Sequence, residues 1–161
     1  MSKTYGEGDA LPDFTMDVQV PGEDGRSMSR EDFTGRKLVL FFYPRDNTPG
    51  CTAEAKDFSA LSDKFAAAGT ALLGISKDSA KKHHNFIVKH DLKTPLGTDA
   101  EEGGLSDELG IWTEKQMYGK TYMGMVRTTY LVDANGKIAR VWNKVKVKGH
   151  AQDVLDSAEA P

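Results

Sequence analysis

The stretch Lys37-Leu38-Val39-Leu40-Phe41-Phe42-Tyr43 is almost continuously apolar and ends at Pro44. This pattern is typical of a central strand that is buried on both faces of a sheet. Residues 71–76 have the same character. Between the two stretches, apolar residues recur at helical spacing and Gly69 supplies a stop, which predicts a helix. Together the three elements predict a strand–helix–strand unit with a right-handed crossover.

The alternation of helices and strands continues along the chain. Apolar spacing and turn residues predict helices at residues 79–90, 102–109 and 150–158 and strands at residues 126–132 and 138–142. Asp133-Ala134-Asn135-Gly136 is expected to form the hairpin turn between these strands, because Asn and Gly tolerate positive φ. The order predicts an α/β fold in which a mixed central sheet is flanked by helices. Because no internal repeat or linker is found, we expect one domain over residues 1–161.

Two charged patterns are interpreted as surface features. The segment Lys144-Val145-Lys146-Val147-Lys148 has a lysine at every second position, which predicts an exposed edge strand protected from pairing with another chain. A basic stripe that binds a partner is the alternative. His83 and His84 are adjacent and would diverge by about 100° on a helix. They therefore predict a solvated helix surface and not a metal site.

The composition of the 161-residue chain restricts its function classes. Its 21 basic and 24 acidic residues give a formal charge of -3, so there is no basic excess to bind nucleic acid. The longest apolar run is far shorter than the roughly 20 residues of a membrane span, and residues 1–7 contain no signal-peptide stretch. We therefore expect a cytoplasmic protein with no nucleic-acid or membrane partner.

Cys51 is the single cysteine of the chain. One cysteine excludes an internal disulfide framework, a Cys-x-x-Cys redox pair and a zinc site built from several thiolates, and we expect no metal and no cofactor. The residue lies beyond the carboxyl end of a buried strand, at the start of the first long helix, where α/β sheets form their sites. Unpaired amides and the positive end of the helix dipole favour a thiolate there.

A buried, inert thiol is the alternative interpretation of Cys51, because free cysteines are among the most buried residues. Its neighbours Pro49, Gly50 and Thr52 are typical of loops and helix starts, which favours a reactive thiol. Ionisation of a thiol of pKa about 8.5 increases its reactivity only on the order of 30-fold. A strong catalyst therefore needs further groups that orient and polarise the electrophile.

Three groups are candidates for this polarising role: the Cys51 amide, the Thr48 hydroxyl and the side chain of Arg127. Thr48 places a hydroxyl one turn before the thiol. Arg127 opens a strand-like segment and supplies a cation, with a solvated arginine as the alternative. Glu54 lies one helical turn after Cys51. It either orients the Arg127 guanidinium through a charge-assisted hydrogen bond or complements the helix dipole.

The motif Pro44-x-x-x-Thr48-x-x-Cys51 resembles the active-site signature of peroxiredoxins. The peroxiredoxin Q branch, also called the bacterioferritin comigratory protein branch, is similar over the fuller run Phe42-Tyr43-Pro44-Arg45-Asp46-Asn47-Thr48-Pro49-Gly50-Cys51-Thr52-Ala53-Glu54-Ala55. Further similar blocks occur in the expected order at residues 74–79, 118–133 and 145–150. The resemblance extends from about Gly8 to the C-terminal helix.

This resemblance implies a thioredoxin-like fold and the reduction of hydrogen peroxide or organic hydroperoxides by a thiolate. Cys51 is then the peroxidatic cysteine, which attacks one peroxide oxygen and becomes a sulfenic acid. Thr48, the Cys51 amide and Arg127 are implied to hold the peroxide oxygens. Pro44 is implied to shield the thiolate from bulk water, and Glu54 is implied to position Arg127.

The chain departs from this branch in its cysteine content. Many members carry a resolving cysteine five positions after the peroxidatic one, where this chain has Lys56, and others carry it on the following helix, where residues 79–90 have none. We therefore expect an external thiol (glutathione, a glutaredoxin or thioredoxin) or a second copy of the chain to reduce the sulfenic acid of Cys51. A monomer is expected, with a homodimer as the alternative.

Other functions on the same fold are alternatives. A thiol–disulfide oxidoreductase is disfavoured because the second cysteine of Cys-x-x-Cys is missing. In a non-enzymatic peroxide sensor, oxidation of Cys51 would change an interaction with a partner, and only the enzyme would consume many peroxides per chain. A hydrolase that uses Cys51 and a histidine is a more distant alternative, because the Cys51 loop contains no histidine.

Overall fold

The structure is a computed structural model and describes residues 5–160. Its strands are β1 (Thr15–Gln19), β2 (Arg26–Ser29), β3 (Lys37–Phe42), β4 (Thr70–Ser76), β5 (Leu96–Thr98), β6 (Trp112–Met117), β7 (Lys120–Met125), β8 (Thr128–Val132) and β9 (Ile138–Trp142). Its α-helices are α1 (Pro49–Ala60), α2 (Ser62–Ala67), α3 (Ala80–His90), α4 (Leu105–Glu108) and α5 (His150–Glu159), and a 3-10 helix covers Arg30–Phe33. None of the helices within residues 5–160 has the length and apolar character needed to cross a membrane.

Seven strands form one mixed sheet in the order β2-β1-β5-β4-β3-β8-β9. β4 is parallel to both of its neighbours, β3 and β5, whereas the other neighbouring pairs are antiparallel. β6 and β7 form a separate antiparallel hairpin. The predicted α/β architecture, a mixed central sheet flanked by helices, is confirmed.

β3 is an inner strand and is buried on both faces, as its apolar sequence predicts. Leu40 and Phe42 belong to the apolar cluster on one face of the sheet. Val39 and Phe41 belong to the cluster on the other face, which also contains apolar side chains from α1, α2, α3 and α5. This alternation follows the pleat of a strand. Packing in both clusters fixes the carboxyl end of β3, where the Cys51 loop begins.

The segment between β3 and β4 forms two helices instead of the single helix predicted. Leu61 separates α1 from α2 with φ −98° and ψ 4°, and its N–H bonds to the carbonyls of Phe58 and Ser59. Gly69 follows α2 with a φ of 67°, which glycine adopts without strain, so the predicted stop is confirmed. Parallel pairing of β3 with β4 confirms the strand–helix–strand unit.

Some predicted elements are shorter in the structure, and one is wrong. The helix expected at residues 102–109 covers only Leu105–Glu108, and the strand expected from residue 126 begins at Thr128. Residues 144–148 lie in a loop and do not form the predicted edge strand. The reason is that Lys144 has a φ of 48°, so the extended backbone of β9 is interrupted before the alternating lysines begin to pair.

The interpretation of both adjacent histidines as solvated was wrong for His83. His84 is exposed, but His83 is fully buried on the side of α3 that also carries Phe86 and Ile87. The carboxylate of Asp46 lies 2.7 Å from His83 Nδ1 and compensates for the loss of water around the ring.

Candidate active site

Cys51 lies in the first turn of α1. Thr48 has the extended backbone of an N-cap residue (φ −83°, ψ 153°), and its carbonyl accepts the Thr52 N–H at 2.8 Å. Pro49 suits the first helical position because its missing N–H would have no helical acceptor. The Cys51 N–H belongs to the same turn and also lacks a helical acceptor. The positive end of the helix dipole therefore lies beside the thiol.

The thiol of Cys51 is buried and contacts a guanidinium. Cys51 is 1% exposed, and Arg127 Nη2 donates to its Sγ at 3.4 Å. Arg127 Nη1 donates to Glu54 Oε1 at 2.7 Å. The guanidinium thus bridges the sulfur and a carboxylate, and its positive charge is placed where it favours a thiolate.

Arg127 reaches the thiol from the short connection between β7 and β8. β7 ends at Met125 and β8 begins at Thr128. Antiparallel pairing with β3 aligns Thr128 with Phe42, the residue at which β3 ends before the Cys51 loop. The register of the sheet therefore brings together two side chains that are 76 residues apart in the chain.

The surroundings of Arg127 favour its charge. Burial alone would lower the pKa of the guanidinium, but the charges of Glu54 and Cys51 and the hydrogen bonds to them raise it overall. The backbone is held as well, because the Arg127 carbonyl accepts the Val145 N–H at 2.9 Å. Both ends of the residue are therefore fixed.

Glu54 is a buried carboxyl group with one cationic partner. It is 1% exposed, and burial raises its pKa to about 7, although the charge and hydrogen bond of Arg127 act in the opposite direction. Its Oε2 is buried without a hydrogen-bond partner among the described residues. Near neutral pH the carboxyl is therefore divided between its charged and neutral forms. The full ion pair with Arg127 exists only in the charged form.

The loop before α1 contains the other two predicted site residues. Thr48 is half-buried, and its hydroxyl donates to the carbonyl of Arg45 at 2.9 Å. The proton is engaged in this bond, so the Oγ1 lone pairs are what the hydroxyl offers to a substrate. Pro44 is exposed at the start of the loop, and its shielding of the thiolate stays a prediction.

Lys115 is a second cation near the site that the sequence analysis did not identify. Its Nζ donates to the carbonyl of Met125 at 2.5 Å, two residues before Arg127. Burial and the charge of Arg127 lower the pKa of Lys115, whereas the sulfur of Cys51 raises it. No local motif marks this lysine, because its place depends on the register of the β6–β7 hairpin. Within residues 5–160 no cluster of three or more His, Cys, Asp or Glu side chains could hold a metal ion.

A thiol held by a guanidinium at the start of a helix can attack an electrophile that the same guanidinium polarises, an arrangement that suits a thiol-dependent oxidoreductase. The family model described as the AhpC/TSA family matches residues 8–141, and the chain belongs to this family. The resemblance found in the sequence is thereby confirmed.

Curated relatives agree with this assignment over most of the chain. "Putative peroxiredoxin bcp" of Coxiella burnetii is 41% identical over 148 residues, which are 92% of this chain and 95% of the relative. "Peroxiredoxin Bcp" of Bacillus subtilis is 40% identical over 141 residues, covering 88% of this chain and 89% of the relative. The chain is therefore a thiol-dependent peroxidase whose substrate is a peroxide and whose reductant is a thiol.

Solved structures are similar in fold as well as in sequence. Xanthomonas campestris peroxiredoxin Q has a TM-score of 0.82 and 39% identity and covers 91% of this chain and 89% of its own. A cysteine-to-serine mutant of Xylella fastidiosa PrxQ has a TM-score of 0.87 and 32% identity, with coverage of 97% and 96%. The thioredoxin-like peroxiredoxin fold implied by the sequence is confirmed.

Proposed function

We propose that Cys51 is the peroxidatic cysteine of a one-cysteine peroxidase that is recycled by an external thiol. The observation that carries this proposal is the Arg127 guanidinium, which lies between Cys51 Sγ and Glu54 Oε1. A cation in this place favours the thiolate and is also available to the oxygen that the thiolate attacks.

The first half of the reaction oxidises the sulfur. The thiolate of Cys51 attacks one oxygen of the peroxide ROOH, an S–O bond forms and the O–O bond breaks. The other oxygen leaves as RO⁻, and a proton converts it to an alcohol, or to water when R is hydrogen. The sulfur is left as a sulfenic acid, two electrons having passed to the peroxide.

The residues around the sulfur are suited to orient the peroxide. The Thr48 Oγ1 accepts a hydrogen bond from the peroxide O–H, because its own proton is bound to the Arg45 carbonyl. The Cys51 N–H and the Arg127 guanidinium donate to the peroxide oxygens. These donors stabilise the negative charge that grows on the leaving oxygen, so they lower the energy of the transition state more than that of the bound peroxide.

The second half of the reaction reduces the sulfenic acid. An external thiol R'SH attacks the Cys51 sulfur, which gives a mixed disulfide and releases water. A second R'SH attacks the external sulfur of this disulfide, restores the Cys51 thiol and leaves R'SSR'. The chain has no resolving cysteine that could reduce the sulfenic acid by forming an internal disulfide, since position 56 is an exposed lysine and α3 contains no cysteine. We propose glutathione, a glutaredoxin or thioredoxin as the source of R'SH.

Stopped-flow oxidation of the reduced protein by hydrogen peroxide tests the proposal, followed by mass spectrometry of Cys51 with and without glutathione or thioredoxin. We expect fast formation of a sulfenic acid without thiol and of a mixed disulfide with it, and multiple turnovers when the thiol is supplied. Cys51→Ser should abolish the reaction. A rate no higher than that of a free thiol at matched ionisation would contradict the proposal and favour the peroxide sensor.

We further propose that the protein is a cytoplasmic monomer whose residues 1–161 form one domain. A single free cysteine suits a reducing compartment, and the sheet and its helices enclose two continuous apolar clusters. Light scattering of the reduced protein should give the mass of one chain, and a mass of two chains would support the homodimer.

A further inference from the structure

The loop that carries Thr48 is attached to α3 by two histidines. His83 Nδ1 lies 2.7 Å from Asp46 Oδ2, and His90 Nε2 lies 3.1 Å from Asn47 Oδ1. Residues seven positions apart lie on the same side of a helix, so one side of α3 holds two consecutive loop residues. We name His83, His90, Asp46 and Asn47 the α3 clamp.

The His83 ring is completely buried, and both of its nitrogens face acceptors. Nε2 lies 3.0 Å from the carbonyl oxygen of Gly97 on β5, and Nδ1 faces the Asp46 carboxylate, whose side chain is 2% exposed. Nδ1 also lies 3.4 Å from the Tyr43 hydroxyl oxygen, so the ring contacts β5, the residue after β3 and the Cys51 loop. Asp46 Oδ2 has no well-aligned hydrogen-bond donor among the described residues. Both side chains are shielded from water, which strengthens the polar contact between them.

Asp46 is held from two further directions. Tyr43 Oη donates to Asp46 Oδ1 at 2.6 Å. The backbone N–H of Asp46 donates to Asp78 Oδ2 at 2.8 Å. The Ser76 hydroxyl donates to the same Asp78 oxygen at 2.6 Å. Burial and the charge of Asp46 raise the pKa of Tyr43 well above its usual range, so the phenol stays a donor. The loop is thereby joined to β4 and to the end of β3 as well as to α3.

Thr48 follows the clamped residues directly. Asn47 has a φ of 64°, a left-handed conformation that asparagine adopts more readily than most residues with a side chain. The clamp holds this turn on both sides, because Asp46 precedes Asn47 and the Asn47 side chain itself contacts His90. The position of the Thr48 hydroxyl thus depends on contacts that involve neither the sulfur nor Arg127.

We propose that His83 is a positioning residue for peroxide reduction. By holding Asp46, it keeps the Thr48 hydroxyl in place relative to Cys51 and Arg127. It acts through the loop and not on the peroxide. This inference rests on the roles proposed above for Cys51 and Thr48.

The variant His83→Gln tests this role, because glutamine removes the ring that faces Asp46 and keeps an amide donor for the Gly97 carbonyl. His84→Gln is the matched control, since this neighbour is exposed. Rates of reaction of Cys51 with hydrogen peroxide and with iodoacetamide are measured for each protein. Iodoacetamide needs a nucleophilic sulfur but none of the groups that orient a peroxide. We expect His83→Gln to lower the peroxide rate about tenfold or more, while the iodoacetamide rate and both control rates change by less than about twofold.

Three results would overturn the inference. The first is an unchanged peroxide rate in His83→Gln, and the second is a parallel loss of both rates, which indicates a merely structural role. The third is a wild-type protein that reacts with peroxide no faster than a free thiol, which overturns the function proposed for Cys51 and this inference with it. If His83→Gln does not fold, Tyr43→Phe replaces it, because this variant keeps the ring and removes the hydroxyl that bonds to Asp46 and lies 3.4 Å from His83 Nδ1. It should lower the peroxide rate about threefold with an unchanged iodoacetamide rate, and an unchanged peroxide rate would again overturn the inference.

Discussion

A Cβ atom at position 50 would lie 3.2 Å from Nη2 of Arg127. This distance is tighter than an ordinary van der Waals contact, and Nη2 is the same nitrogen that donates to Cys51 Sγ. Gly50 lies within the helical residues of α1, so its backbone has no conformational need for glycine. The missing side chain at position 50 leaves room for the guanidinium beside the sulfur.

We expect Gly50→Ala to separate activity from stability. The added methyl group pushes Nη2 away from the sulfur, which should lower the rate of reaction with peroxide about threefold to tenfold. Alanine in place of a helical glycine stabilises a helix by up to about 1 kcal/mol, so the free energy of unfolding should be equal or higher. Stopped-flow oxidation and urea unfolding measure the two quantities. A wild-type peroxide rate in Gly50→Ala would contradict this prediction, because the guanidinium could then shift away from the sulfur without lowering the rate.

Arg127→Ala should remove the largest electrostatic contribution to the reaction. Loss of one well-placed donor to a developing oxyanion costs about 3 kcal/mol, or roughly a hundredfold in rate. Arg26→Ala is the matched control, because this arginine is exposed on the edge strand β2. The peroxide rate of the control should equal that of the wild type. A loss of less than about threefold in Arg127→Ala would mean that the polarising groups lie elsewhere.

The elements that place Cys51 could be predicted because their signals are local. The continuous apolar run at residues 37–43 requires burial on both faces of a sheet, and the structure places β3 inside one. Pro49 marks the helix start next to Cys51. From the residues alone Arg127 was one candidate cation with a solvated arginine as the alternative, and family resemblance was needed to favour its contact with Cys51, since that contact depends on the pairing of β3 with β8.

Other features escaped prediction because tertiary contacts decide them. β5 has three residues, too few for a periodic pattern, and the β6–β7 hairpin is largely exposed, so neither was predicted. His83 turns inward because a carboxylate from a distant loop meets it, and no spacing in α3 shows this. Lys144 departs from the extended conformation at the first residue of an alternating pattern, so the pattern alone gave the wrong element.

The ionisation of Glu54 should make the stability of the protein depend on pH. Its pKa is about 7 in the folded chain against 4.5 without burial, so the folded state binds more protons between these values. Stability from this group is therefore fully present below about pH 4.5 and is lost as the pH rises through about 7. A difference of this size corresponds to about 3 kcal/mol.

The variant Glu54→Gln isolates the contribution of Glu54 to the pH dependence of stability, because glutamine does not titrate. The free energy of unfolding of the variant, relative to the wild type, should rise by up to about 3 kcal/mol between pH 5 and pH 8. Urea unfolding at the two pH values measures the difference, and groups that titrate equally in both proteins cancel. Asp57→Asn, an exposed carboxyl on the same helix, should show no such change. A pH-independent difference for Glu54→Gln would mean that the carboxylate stays ionised throughout.

Lys115→Gln should have a smaller effect that depends on salt. The variant loses one cation near the thiolate and the ammonium donor to the Met125 carbonyl, which should lower the peroxide rate about twofold to fivefold at low ionic strength. Added salt should reduce the effect, because Lys115 is only partly buried. Lys120→Gln, exposed on the same hairpin, is the control. Equal losses in the two variants would point to the overall charge of the hairpin and not to Lys115.

Thr48→Val tests whether a hydroxyl before the helix orients the peroxide. Valine keeps the branched shape of threonine but offers no lone pair to a peroxide O–H and no proton to the Arg45 carbonyl. We expect the peroxide rate to fall about tenfold, because the hydroxyl orients the peroxide but does not stabilise the charge on the leaving oxygen. The rate with iodoacetamide should change less than about twofold, because the sulfur, the Cys51 amide and Arg127 stay in place.

Thr48→Ser distinguishes the hydroxyl from the shape of the side chain. Serine restores Oγ and loses only a methyl group, so most of the peroxide rate should return. If valine keeps the wild-type rate while Cys51→Ser abolishes the reaction, the Thr48 hydroxyl has no part in orienting the peroxide, and the Cys51 amide and Arg127 must orient it. If serine is as slow as valine, the methyl group that packs the loop matters more than the hydroxyl, and the position of the loop limits the rate.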